Sequence, residues 1–119
     1  MSTIAHLING EYVNDNGRTA SVYNPSTGQV VNQVALASRA TVQQAIAVAQ
    51  AAYPAWRNTP PAKRAQIMYR FKQLLEANKE RIVALISLEH GKTLEDAGGE
   101  LQRGIENIEY ACSAPEILK

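Results

Sequence analysis

The sequence changes period at Ser38. Before it, short β-branched runs are broken by turn residues; after it, apolar residues recur every three or four positions. Alternation suits strands and the longer period suits helices. A chain with strands gathered in front and helices behind is expected to fold as α+β. Residues 1–37 are read as a β-hairpin region and residues 38–119 as a helical region of about four helices.

Within the front part, "LINGEYV" (7–13) predicts a hairpin. Asn9-Gly10 can take the positive φ angles of a type I′ turn, and apolar residues flank it. "NDNGR" (14–18) is a connector, and "SVYNPSTGQVVNQVALA" (21–37) reads as strand, turn, strand, punctuated by Asn24-Pro25 and Gly28.

The first helix is expected to start after Ser38, a suitable N-cap. Its apolar face is Val42, Ala45, Ile46, Ala49, Ala52 and Tyr53, and Pro54 should end or kink it. Thr59 should cap the second helix, with Pro60 as its first residue and Ile67, Phe71, Leu74 and Leu75 as its stripe. Asn78 closes that helix or caps the third, which should bury Ile82, Leu85 and Ile86 and stop at Gly91. The fourth helix carries an apolar seam of Leu94, Ala97, Leu101, Ile105, Ile108 and Cys112, and Pro115 is expected to end it. Gly98, Gly99 and Gly104 lie inside it, each at a cost of roughly 1 kcal/mol relative to alanine. Glycines in such places often admit another backbone or a ligand.

Gly91-Lys92-Thr93 matches the last three residues of a phosphate-binding P-loop. That loop needs a further glycine five residues before its Gly-Lys. Ile86 stands there, with no glycine between. The triplet is instead expected to punctuate two helices. Gly91 suits a left-handed C′ position, Thr93 caps the next helix with Asp96 three residues on, and Lys92 is a solvated charge near a helix C-terminus.

Other chemistry is sparse. His6, His90 and Cys112 show no metal-ligand spacing. Cys112 lies on a helix seam, where cysteine is usually a small hydrophobe rather than a reactive thiolate. Glu95, Asp96, Glu100, Glu106 and Glu109 read as a solvated face. Arg103 is the candidate binding residue. Gly99 and Asn107, four residues to either side, share its face. The small residue leaves room for a planar anion against the guanidinium, which can grip a carboxylate with two hydrogen bonds. The alternative is an ion pair with Glu100 or Glu106.

The 119 residues suffice for one small domain. A net charge of +1 points to neither nucleic acid nor acidic lipid. No apolar run approaches the roughly 20 residues of a membrane span, and no secretory signal is evident. The single cysteine leaves no internal disulfide, which fits a cytoplasmic setting. Aromatics make up only 6%, so a lone domain of this kind would be marginal.

Taken in order, "INGEYV", "VYNPSTGQVV", an alanine-rich helix ending near "AYPAW", and "TPPAKRAQIMYRFKQLLEANKERIVALISLEHGKTLEDA" resemble the front of an aldehyde dehydrogenase. The likeness runs from about Leu7 to Lys119. "GELQRGIENIEYACSAPEIL" is similar to the acylating branch that uses coenzyme A and takes methylmalonate or malonate semialdehyde.

The resemblance implies an NAD-dependent oxidation through a cysteine thioester, released as propionyl- or acetyl-coenzyme A in valine or inositol breakdown. It also implies that Arg103, in "RGIE", helps hold the substrate carboxylate. The family's catalytic cysteine, general-base glutamate, catalytic asparagine and cofactor turn lie beyond Lys119, and Cys112 precedes the place of the nucleophile. The chain is therefore expected to be an N-terminal fragment, part of the α/β aldehyde dehydrogenase fold and an incomplete part of its cofactor-binding domain. Alone it should lack catalytic and cofactor-binding residues, bind neither NAD nor coenzyme A, and expose apolar surface that promotes self-association. Its expected partners are the rest of the dehydrogenase chain, the aldehyde in the parent enzyme, and further copies in a homo-oligomer; nucleic acid and membrane are not expected. The alternative is a free-standing, non-catalytic helical interaction module.

Overall fold

Asn9-Gly10 turns the chain as its residue types require. Both residues have positive φ, 55° and 79°, the combination a two-residue hairpin turn of this type demands. The turn joins β2 (His6–Ile8) to β3 (Glu11–Val13), antiparallel, with Leu7 opposite Tyr12. This is a computed structural model, and it describes residues 3–15 and 17–119. Asn16, inside the predicted connector 14–18, lies outside the described residues, as do Met1 and Ser2.

The second strand pair also forms as expected. β4 (Thr19–Tyr23) and β5 (Val30–Ala35) are antiparallel, with Ser21 opposite Gln33 and an irregularity at Val22/Tyr23. Gln33 Nε2 donates to Ser21 Oγ across that pair at 3.1 Å. In the turn, the Ser26 N–H donates to Asn24 Oδ1 at 2.9 Å and Gly28 has φ 71°. Sequence reasoning missed β1 (Thr3–Ile4), which joins the other edge of β5 in parallel, with Thr3 opposite Gln33. A parallel partner cannot come from a tight hairpin, so no turn signal marks it.

The chain divides into two compact units, Met1–Trp56 and Arg57–Lys119. The first holds the strands and most of α1 (Arg39–Asn58). Ser38 caps α1 as expected, its Oγ accepting from the Thr41 N–H at 3.2 Å. Pro54 does not end the helix, which runs four residues further. The missing N–H strips Gln50 of its intrahelical donor. Both residues are exposed, so water can serve that carbonyl. The expected apolar face of α1 is largely open: Val42, Ile46 and Tyr53 are all exposed.

The second unit is helical. α2 (Pro61–Ala77) begins one residue later than expected. Pro60 holds the cap position, with extended ψ, and Pro61 opens the helix. A residue before proline is held out of the helical region, so the second proline moves the start. Asn78 closes α2, its Nδ2 donating to Leu74 O at 2.8 Å, and α3 (Lys79–His90) follows directly. Gly91, with φ 80°, ends α3 and donates its N–H to Ser87 O at 2.9 Å. Thr93 caps α4 (Leu94–Cys112), accepting from the Asp96 N–H at 3.2 Å.

Pro115 does not terminate α4. That helix stops at Cys112, Ser113 forms the join, and Pro115 lies in the first turn of a short α5 (Ala114–Ile117). The first turn is where proline's missing N–H costs nothing, so the described chain has five helices rather than four. α4 is the centre of this unit and packs against both α2 and α3. Ala97, Leu101, Ile105 and Cys112 are buried on its seam, and Ala65 of α2 is buried with them. Leu94 at the start of the expected seam is exposed. So are Ile67, Phe71 and Leu74 of α2, and Leu85 of α3. Lys72 of α2 reaches Glu109 of α4 at 2.8 Å. That carboxylate raises the lysine pKa above its ordinary value, more than desolvation lowers it.

Candidate functional site

Arg103 lies on the exposed side of α4, away from Leu101 and Ile105, which are buried. Long helical side chains lean towards the helix N-terminus, and this one lies back over Gly99. A Cβ at Gly99 would sit 3.8 Å from Arg103 Nη1, so the glycine gives the guanidinium room. The Asn107 Nδ2 donates to the Arg103 carbonyl at 2.9 Å, fixing the next turn of the same face. The structure thus brings together the three residues that sequence spacing had placed side by side.

The competing ion pairs do not form. Glu100 is held by Lys92, and Gln102 Nε2 donates to Glu106 Oε1 at 3.5 Å. Among the described residues, no ion pair involves Arg103. A guanidinium in this state presents the paired N–H donors that can grip a carboxylate.

Lys92 corrects the sequence reading. It is not a freely solvated charge. Its side chain is half-buried and its Nζ contacts Glu100 Oε2, eight residues on. The Ser87 hydroxyl donates to the Lys92 carbonyl at 2.7 Å, which pins the α3–α4 turn that aims it. Lys92 lowers the Glu100 pKa below the ordinary carboxylate value, first through its hydrogen bond and then through its charge; Arg103 adds a smaller effect of the same sign. Helix periodicity could not reveal a pair that crosses a turn.

The helix glycines differ in their surroundings within the described chain. A Cβ at Gly98 or Gly104 would meet nothing within 4 Å, so no other part of the described chain approaches closely there. Cys112 is buried, in keeping with its reading as a packing residue. Among the described residues, no three His, Cys, Asp or Glu side chains gather to hold a metal. No helix among them is long and apolar enough to cross a membrane.

A second polar cluster escaped sequence analysis. Asp15 Oδ2 accepts from the Ser38 N–H and from Thr41 Oγ1, both at 2.6 Å. The Thr41 hydrogen bond, followed by those of Ser38, lowers the Asp15 pKa to about 2. The partners are 23 and 26 residues away, so no local motif announces them. The cluster anchors the connector to the start of α1. Beside it, His6, Leu7 and Ile8 face Val42, Ala45 and Ile46 across an open groove of about 470 Å³. The groove wall is mainly apolar.

Residues 12–119 match the profile of the aldehyde dehydrogenase family, and the chain belongs to that family. Over its whole length it is 71% identical to the malonate-semialdehyde dehydrogenase of Pseudomonas aeruginosa, of which it covers 24%. The crystal structure of methylmalonate-semialdehyde dehydrogenase from Oceanimonas doudoroffii matches all of the chain with a TM-score of 0.98 and 60% identity. A structure from Sinorhizobium meliloti 1021, complexed with NAD, matches 98% of the chain with a TM-score of 0.94 and 40% identity. Here too the chain covers 24% of each solved chain. It therefore spans about a quarter of the length of the relatives it matches.

Proposed function

We propose that this chain is the front section of an NAD-dependent dehydrogenase that converts malonate or methylmalonate semialdehyde to acetyl- or propionyl-coenzyme A. In this reading Arg103 binds the substrate carboxylate. The observation that carries it is the guanidinium on α4, left without an ion pair among the described residues although two glutamates flank it at helical reach. The 71% identity to a malonate-semialdehyde dehydrogenase supports this substrate class. Such a substrate has an aldehyde at one end and a carboxylate at the other. An arginine that grips the carboxylate fixes which end faces the reacting groups. A bidentate guanidinium suits this better than a point-like ammonium.

The described residues do not form a dinucleotide phosphate site of the strand–turn–helix kind. A dinucleotide phosphate needs a glycine-rich turn between strand and helix. Gly91-Lys92-Thr93 lies between two helices, and its lysine is engaged by Glu100. We therefore assign NAD, coenzyme A and the reacting groups to the remainder of the dehydrogenase. The 119 residues alone are expected to be inactive. Ile46, Tyr53, Leu74 and Leu94 are exposed here and would be covered by that remainder or by further subunits.

The test is Arg103→Gln in the full-length dehydrogenase carrying this section. Losing a charge-assisted bidentate contact should lower kcat/KM for malonate semialdehyde by on the order of 10- to 100-fold. Propanal, which has no carboxylate, should lose little. An equal loss for both aldehydes would give Arg103 a structural role and overturn the assignment.

A further inference from the structure

We infer that Lys92 is a positioning residue for substrate selection: by holding Glu100 across the α3–α4 turn, it keeps that carboxylate off Arg103 and leaves the guanidinium open to an anion. The inference rests on the proposed role of Arg103 and adds a second residue to it.

Glu100 is three residues before Arg103 on the same helix, a separation at which opposite charges readily pair. Such a pair would occupy the donors that a substrate carboxylate needs. Glu106 stands equally near on the other side but accepts from Gln102. Glu100 faces a stronger competitor. Lys92 enters from outside α4, and its side chain is less exposed than that of Glu100, 20% against 44%. Its direction is fixed from three sides. Gly91 turns the chain with φ 80°, the Ser87 hydroxyl bonds the Lys92 carbonyl, and Thr93 starts α4 immediately afterwards. The lysine is thus presented to Glu100 by the backbone. The Gly-Lys-Thr triplet, which lies between two helices, has its use in this presentation.

Removing the Lys92 charge should free Glu100 to swing towards Arg103. The enzyme would then face its carboxylated substrate with a neutralised arginine. An uncharged aldehyde has no use for the guanidinium and would be less affected. The quantity that reports the effect is the selectivity ratio, kcat/KM for malonate semialdehyde divided by kcat/KM for propanal.

The experiment compares four variants of the full-length dehydrogenase. Lys92→Gln should lower the ratio by roughly 3- to 10-fold, mostly through KM for malonate semialdehyde, as expected for a partly exposed charge pair. Lys92→Arg should keep the ratio, because the positive charge remains. The double variant Lys92→Gln/Glu100→Gln should recover it, because the competing carboxylate is gone. A merely structural lysine would not be rescued by removing its own partner. Arg103→Gln serves as the reference. If Arg103→Gln lowers the ratio but Lys92→Gln leaves it unchanged, the Lys92 inference is overturned and the Arg103 assignment stands. A drop with Lys92→Gln that the double variant fails to recover overturns it as well. If Arg103→Gln itself leaves the ratio unchanged, the assignment beneath it fails.

Discussion

Two isoleucines on different helices should respond very differently to truncation. Ile105 on α4 is 3% exposed, whereas Ile46 on α1 is 54% exposed. Ile→Ala removes three carbons, each contributing about 0.8 kcal/mol when fully buried. At Ile105 that transfer loss is about 2.4 kcal/mol. The cavity left between α4 and its neighbours adds to it, for a total of about 3–4 kcal/mol. At Ile46 over half of the side chain already meets water and no closed cavity can form. The expected loss there is about 1 kcal/mol. The difference of about 2–3 kcal/mol is roughly a 30- to 160-fold change in the unfolding equilibrium. Urea unfolding of the 119-residue chain, followed by its helical circular dichroism, reads both values. Equal losses would refute the reasoning, because Ile46 would then be buried in the folded chain. The same pair in the full-length dehydrogenase gives the converse check. There the Ile46 cost should rise towards that of Ile105 as the open face of α1 becomes covered.

Asp15 carries a pH dependence of definite sign. Its folded pKa, about 2, lies below the ordinary 3.8, so its contribution is complete above about pH 3.8 and is lost as pH falls towards about 2. An NMR titration of the Asp15 carboxyl should show the low midpoint, and Thr41→Val should move it upwards; an ordinary midpoint in the intact chain would contradict the cluster. Thr93→Ala removes the cap of α4 and should cost about 1 kcal/mol, seen as a lower urea midpoint, while Thr93→Ser should lose much less. Equal losses for the two substitutions would show that the hydroxyl does not act as the cap.

The local signals were legible in the sequence. Asn9-Gly10, Gly91 and Thr93 act through the backbone within a few residues, and each residue type admits few conformations. The seam Ala97, Leu101, Ile105 and Cys112 was legible for the same reason, since helix geometry fixes which side chains align. Pro60 and Pro115 were misjudged, and Pro54 does not end its helix, because a proline's effect depends on its neighbours' exposure and on its place in the turn. The strand β1, the Asp15 cluster and the Lys92–Glu100 pair depend on contacts between separate elements, which periodicity does not encode. The apolar stripes of α1 and α2 were visible as stripes, but a stripe says only that a side chain is apolar. Whether it is covered depends on what lies against it. For the candidate site, spacing brought Arg103, Gly99 and Asn107 to one face but left open whether Glu100 or Glu106 neutralised the arginine. The structure resolves that through Lys92 and Gln102.

The edge pairing of β1 with β5 has a kinetic consequence. Thr3 must wait for Gln33 before it can pair, whereas each hairpin closes on itself as soon as its second strand exists. Hairpins form in microseconds, and contacts between distant residues must first overcome the entropy of closing a long loop. During synthesis the first strand therefore emerges without a partner and remains so until β5 has cleared the ribosome. Loop length therefore favours one assembly order: the turn at Asn9-Gly10 first, the β4–β5 pair next, and β1 last, added to an edge that is already in place.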